Sequence, residues 1–167
     1  MALVAKAGQD SHVDPSAYKH SSHQRMERLK QKHQRVDVPF GKSFLLHPGS
    51  LALVPTLEWI MMPPTLQGVV TARSSWAREG LNIASASIIA PRYRGVITLE
   101  LANFGEIPIL LKPGLRIAQL ALYYLERRDA ALDNTSDNDR QFDLCFEPEP
   151  GDLAKRDEAF LKHDRRR

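Results

Sequence analysis

The chain has 167 residues, of which 43% are hydrophobic and 26% charged, with a net charge of +3, which is enough for one domain with a proper core. No run approaches the roughly 18 apolar residues of a membrane-spanning helix, and the polar opening lacks the apolar stretch of a secretory leader. A single cysteine, Cys145, excludes an internal disulfide framework and a cysteine-rich zinc centre, so a reducing cytoplasm is the expected setting.

The charge is unevenly spread. Residues 1–35 carry seven Lys/Arg against three Asp/Glu, and residues 129–167 carry seven against eleven. Solvated surface is the plain reading of both runs. Nucleic-acid binding is not indicated, because the basic head holds one aromatic, Tyr18, and offers no stacking platform.

In chain order, residues 1–36 read as a basic, flexible N-terminal arm. A short helix is expected over 21–35, where good helix formers follow a Ser, although only Met26 and Leu29 supply an apolar face. His12, His20, His23 and His33 match no compact metal-ligand spacing. The pattern changes at Val36, and residues 37–126 are expected to form the main domain. Val36 to Phe40 alternates, and Phe44 to Leu46 is a short apolar run closed by the turn His47-Pro48-Gly49. Ser50 to Thr56 and Glu58 to Met62 follow as two strand-like runs, with Pro63-Pro64 as a stop. Leu66 to Thr71 leads into a polar cluster, Arg73-Ser74-Ser75-Trp76-Ala77-Arg78. A helical turn over Ser75 to Glu79, ended by Gly80, is expected there. Leu81 to Ile83, Ala84 to Ile89, Val96 to Leu101, Ile107 to Leu111 and Leu115 to Leu125 complete the strand-like runs. Strands this short, with turn signals about every ten residues, predict an all-β barrel or sandwich. Residues 127–167 read as a linker, a final strand over Phe142 to Phe146, and a helix-compatible tail from Asp152 to His163.

Two features carry chemistry. In Val96 to Leu101, period-2 alternation puts Val96, Thr98 and Glu100 on one face and Ile97, Leu99 and Leu101 on the other. Glu100 is then either a solvent-facing residue of an amphipathic strand or, if that face lines a cleft, a general base. The cluster Arg73 to Arg78 is either a solvated helix start or a phosphate grip. Arginine forks pair with phosphate oxygens, and free N–H groups at a helix start add to them.

Several segments together resemble the dCTP deaminase branch of the dUTPase-like superfamily. They are Phe44-Leu45-Leu46-His47-Pro48-Gly49, Arg73-Ser74-Ser75-Trp76-Ala77-Arg78-Glu79-Gly80-Leu81, Tyr93 through Asn103, and Pro113 through Leu120, in the family's order and with its spacing. The resemblance covers roughly residues 40–126. It implies a distorted β-barrel assembled as a homotrimer, with dCTP- or dUTP-type nucleotides bound between subunits. It implies that Glu100 deprotonates a water that attacks cytosine C4, with Ser74 and Arg78 orienting that water and the base. Arg73 and Ser75 would hold phosphates, Thr98 and Leu99 would meet the base through their backbones, and Gln119 would support the phosphate end. It further implies Mg²⁺ carried on the triphosphate and no zinc; the H-x-E…P-C-x-x-C signature of zinc deaminases is absent.

The sequence departs from the family pattern just before the Glu100 strand. Ala90 stands where the family has an Asp that binds the sugar 3′-hydroxyl, Ile88 stands for an Arg, and Arg92 for a Gly. Three functions are therefore expected: foremost a dCTP deaminase making dUTP and ammonia, alternatively a non-catalytic nucleotide-binding or regulatory protein on the same fold, and, behind both, a dUTP pyrophosphatase.

Overall fold

The structure, a computed structural model, describes residues 1–5, 33–83, 88–125 and 144–148. Met1–Val4 and Arg35–Glu149 form one compact unit, which carries the fold. The described residues are all-β, with ten strands and a single short helix.

The largest sheet has the order β2-β1-β4-β8-β6, with β1 at Ala2–Ala5, β2 at His33–Val36, β4 at Leu51–Met61, β6 at Leu81–Ile83 and β8 at Arg94–Asn103. A second sheet, β10-β5-β7, joins Ala118–Tyr124, Leu66–Ala72 and Ile88–Ile89, and β3 (Phe44–Leu46) pairs with β9 (Ile109–Leu111). Leu46, Leu81, Leu101 and Ile109 are among the buried side chains that close the core between these sheets.

Two expectations change. Ser50 to Thr56 and Glu58 to Met62 are not two strands but one, β4, which pairs with β8 along its length except for a register shift between Pro55 and Trp59. Pro55 has no N–H to give a ladder. Beyond it the Thr56 hydroxyl takes over a ladder position, accepting from the Ile97 N–H at 3.0 Å and donating to the Glu58 carbonyl at 2.8 Å. A side chain thus carries the strand across its irregularity. The second change is at the end of the expected 21–35 helix, where His33–Arg35 lies in strand β2 instead. Helix propensity there is overridden by backbone pairing into the sheet. Residues 21–32 of that helix, and the helix expected over 152–163, lie outside the described residues.

The turns follow the sequence signals. Ser50 N–H bonds the His47 carbonyl at 3.1 Å with Gly49 at φ +70, and Leu115 N–H bonds the Lys112 carbonyl at 3.3 Å with Gly114 at φ +89. Both match a turn with Pro second and a left-handed residue third. Ala90-Pro91-Arg92-Tyr93 repeats the pattern, Tyr93 N–H to Ala90 carbonyl at 3.3 Å, but with Arg92 at φ +64 in the glycine position. Of the strand expected over Phe142 to Phe146, residues 142 and 143 lie outside the described residues; Cys145 makes an isolated parallel bridge to Gly95.

Candidate functional site

Strand β8 positions Glu100. Its alternation is as expected from the sequence: Ile97, Leu99 and Leu101 are buried in the core, while Thr98, Glu100 and Ala102 are half-buried on the reverse face. Val96 departs from it and is buried with the core residues. Across the ladder Glu100 stands opposite Leu53 and Thr98 opposite Pro55.

Helix α1, Ser74–Arg78, begins directly after β5 and ends where Gly80 turns at φ +89 into β6. A side chain at Gly80 would meet the Gly105 backbone nitrogen at 2.6 Å, so only glycine lets the two loops approach. Trp76 packs toward the core, while Ser74, Ser75 and Arg78 are exposed. Arg73 stands at the N-terminal boundary of the helix in extended conformation. Its backbone N–H bonds the Ile117 carbonyl at 3.0 Å and its guanidinium reaches the Arg116 carbonyl at 3.5 Å.

That tie places Arg73 on the wall of a groove of about 710 Å³. Phe44, Val54, Leu99 and Leu101 form apolar parts of the wall, and the loop Lys112 through Gln119 forms another side. Gln119 donates to the Thr71 hydroxyl at 3.1 Å. The structure thus brings Arg73, Leu99 and Gln119 to one concavity. It does not put Ser74, Ser75, Arg78, Thr98, Glu100 or Ala90 among that groove's lining residues. Ala90 is exposed and opens the turn that carries the left-handed Arg92. Glu58, Lys112 and Arg116 also line the groove, and the sequence reading does not single them out. The signal was present in Lys112-Pro113-Gly114-Leu115-Arg116, two cations flanking a tight turn.

The protein-family model described as dCTP deaminase-like matches residues 3–125. The chain belongs to the dCTP deaminase-like family. The match takes in every candidate residue from Arg73 to Gln119. A relative from Halorubrum lacusprofundi named dCTP deaminase is 48% identical over 84 residues, covering 50% of this chain and 41% of the relative. One from Corynebacterium diphtheriae named dCTP deaminase, dUMP-forming, is 44% identical over 89 residues, covering 53% of this chain and 48% of the relative. The chain thus spans about half the length of these curated relatives. A crystal structure of 2′-deoxycytidine 5′-triphosphate deaminase from Agrobacterium tumefaciens superposes with a TM-score of 0.58 at 14% identity, covering 72% of this chain and 35% of that one. That likeness shows that the chain shares the fold of that structure, in keeping with the family match. Among the described residues no helix is long and apolar enough to cross a membrane.

Proposed function

We propose that this chain is a dCTP deaminase, hydrolysing dCTP to dUTP and ammonia with Glu100 as the general base. The observation that carries the reading is the placement of Glu100: a carboxylate on the half-buried face of a central strand, flanked by Thr98 and Ala102 and facing Leu53. There Glu100 takes a proton from water, the resulting hydroxide attacks cytosine C4, and the proton passes to the leaving ammonia, so that dCTP and water become dUTP and ammonia. Ser74 and Arg78 orient water and base, Thr98 and Leu99 offer backbone groups to the base, and Arg73, Ser75 and Gln119 hold phosphates. Mg²⁺ arrives with the triphosphate as part of the substrate.

The same reading calls for more than one copy. Leu99 and Leu101 line the groove that holds Arg73, and alternation turns Glu100 to the opposite face of β8. A site that uses both sides of β8 is completed by a neighbouring copy, in a homotrimer. Leu57, Trp59 and Met61 of β4 and Leu122, Tyr123 and Tyr124 of β10 are exposed in the single chain, which supports burial of these faces on assembly.

The test is incubation of the purified protein with dCTP and Mg²⁺, following ammonia and separating dUTP from dUMP by chromatography. Ammonia release that Glu100→Gln abolishes, with assembly unchanged, is the expected result. An active Glu100→Gln variant would remove the proposed base. Ala90, with no group to bind a sugar hydroxyl, favours the second reading, a non-catalytic nucleotide-binding protein, which predicts dCTP binding without turnover.

A further inference from the structure

We infer that Lys112 and Arg116 join Arg73 in a cationic subsite for the outer phosphates of a nucleoside triphosphate, an inference that rests on the reading of the groove as the phosphate side of a nucleotide site. The three cations are brought together by one loop. The turn closed by the Leu115 N–H on the Lys112 carbonyl sets Lys112 and Arg116 on its two limbs. That loop is fastened to Arg73 by the two hydrogen bonds to the Ile117 and Arg116 carbonyls, at 3.0 Å and 3.5 Å. All three side chains line the same groove.

Their charge is not answered among the described residues. Arg35 pairs with Asp37 and Glu147, both at 3.5 Å, whereas Arg73, Lys112 and Arg116 form no ion pair among the described residues. Glu58 is the one carboxylate among the described lining residues. Three cations against one carboxylate, held in a concavity with apolar walls, focus a positive potential. A single phosphate is satisfied by one arginine fork; three separate cations suit a chain of phosphates. Arg73, fixed by its own backbone at the start of α1, takes the inner end of that chain, and the Lys112–Arg116 loop takes the outer end.

The experiment is calorimetric titration of the full chain with inorganic tripolyphosphate, which has no base or sugar and so reads the subsite apart from deamination. Wild-type protein is expected to bind it with an affinity that falls steeply as salt rises. Lys112→Gln and Arg116→Gln are each expected to weaken binding by about tenfold, the loss of one charge-assisted contact. Glu58→Gln is expected to tighten it, and Lys42→Gln, an exposed lysine outside the groove, to leave it unchanged. Tripolyphosphate that fails to bind wild type, or binds Lys112→Gln and Arg116→Gln as tightly as wild type, overturns the subsite. Turnover of dCTP is scored separately: turnover with unaltered tripolyphosphate affinity in both variants overturns the subsite alone, and loss of only the proposed deamination leaves the subsite standing.

Discussion

Leu99 and Glu100 are neighbours in β8, yet Leu99 lines the cationic groove while Glu100 faces away from it, opposite Leu53. If catalysis needs Glu100 from one copy and Arg78 from another, two inactive variants repair each other. Co-expression of Glu100→Gln with Arg78→Ala in equal amounts is expected to restore activity at roughly a quarter of the sites, the fraction that random mixing in a closed ring makes wild-type at both positions. Activity assays on the co-purified mixture, against each variant alone, decide it. No recovery in demonstrably mixed assemblies means that both residues act within one copy.

The bridging role of Thr56 predicts a purely structural defect. Thr56→Val keeps the shape but removes the acceptor for the Ile97 N–H and the donor to the Glu58 carbonyl. The expected cost is about 1–2 kcal/mol, read as a lower midpoint in thermal or urea unfolding, and Thr56→Ser is expected to recover most of it. Equal midpoints for Val and wild type would show that water serves the Ile97 N–H as well as the hydroxyl does.

How much of this was legible in the sequence varies by element, for physical reasons. The faces of β8 were, because a half-buried strand writes its period of two directly into Ile97, Leu99 and Leu101 against Thr98 and Glu100. Helix α1 was, because Gly80 marks its end. Strand β4 was legible only as two runs, Ser50 to Thr56 and Glu58 to Met62, because nothing local shows that the Thr56 hydroxyl substitutes for a ladder group between them. Strand β1 was not, because Ala2–Ala5 is four small or apolar residues ahead of a polar stretch, and its pairing of Leu3 with Leu53 is remote in sequence. The groove was not either. Its walls come from Phe44, Thr56–Glu58, Arg73 and Lys112–Gln119, and no local pattern joins them.

Asn103 reads in the sequence as a turn residue and is more than that. It is fully buried, its amide nitrogen donates to the Leu46 carbonyl at 3.0 Å and the Ile107 carbonyl at 2.8 Å, and its oxygen accepts from the Gly105 N–H at 2.9 Å. Asn103→Ala strands three backbone groups and is expected to cost about 3 kcal/mol or more. Asn103→Asp is expected to be no better, because a carboxylate would face two carbonyl oxygens. Chemical denaturation of both variants tests this; an Asp variant as stable as wild type would contradict the donor assignment.

The three proline turns make an internal comparison. Gly49 and Gly114 take the left-handed position in two of them, and Arg92 takes it in the third at φ +64. A side chain there costs about 1 kcal/mol or more, partly offset by the extra freedom glycine gives the unfolded chain. Arg92→Gly is expected to raise the melting temperature slightly, by the equivalent of up to ~1 kcal/mol. A clear fall in melting temperature would show that contacts of the Arg92 side chain outweigh the backbone strain.

Ala90 opens that same turn and is exposed, so a larger polar side chain fits there without disturbing the core. If the site binds deoxycytidine nucleotides as proposed, Ala90→Asp supplies an acceptor for the sugar 3′-hydroxyl. A charge-assisted hydrogen bond of about 1.5 kcal/mol corresponds to roughly tenfold, so KM for dCTP is expected to fall by about that factor. The control is the substrate rather than the protein. With 2′,3′-dideoxy-CTP, which lacks the hydroxyl, Ala90→Asp is expected to bring no gain, because the new carboxylate has no donor to meet and adds only repulsion toward the phosphates. A gain of equal size with both nucleotides would place the effect elsewhere, in the turn itself, and would separate sugar reading from stability at this position.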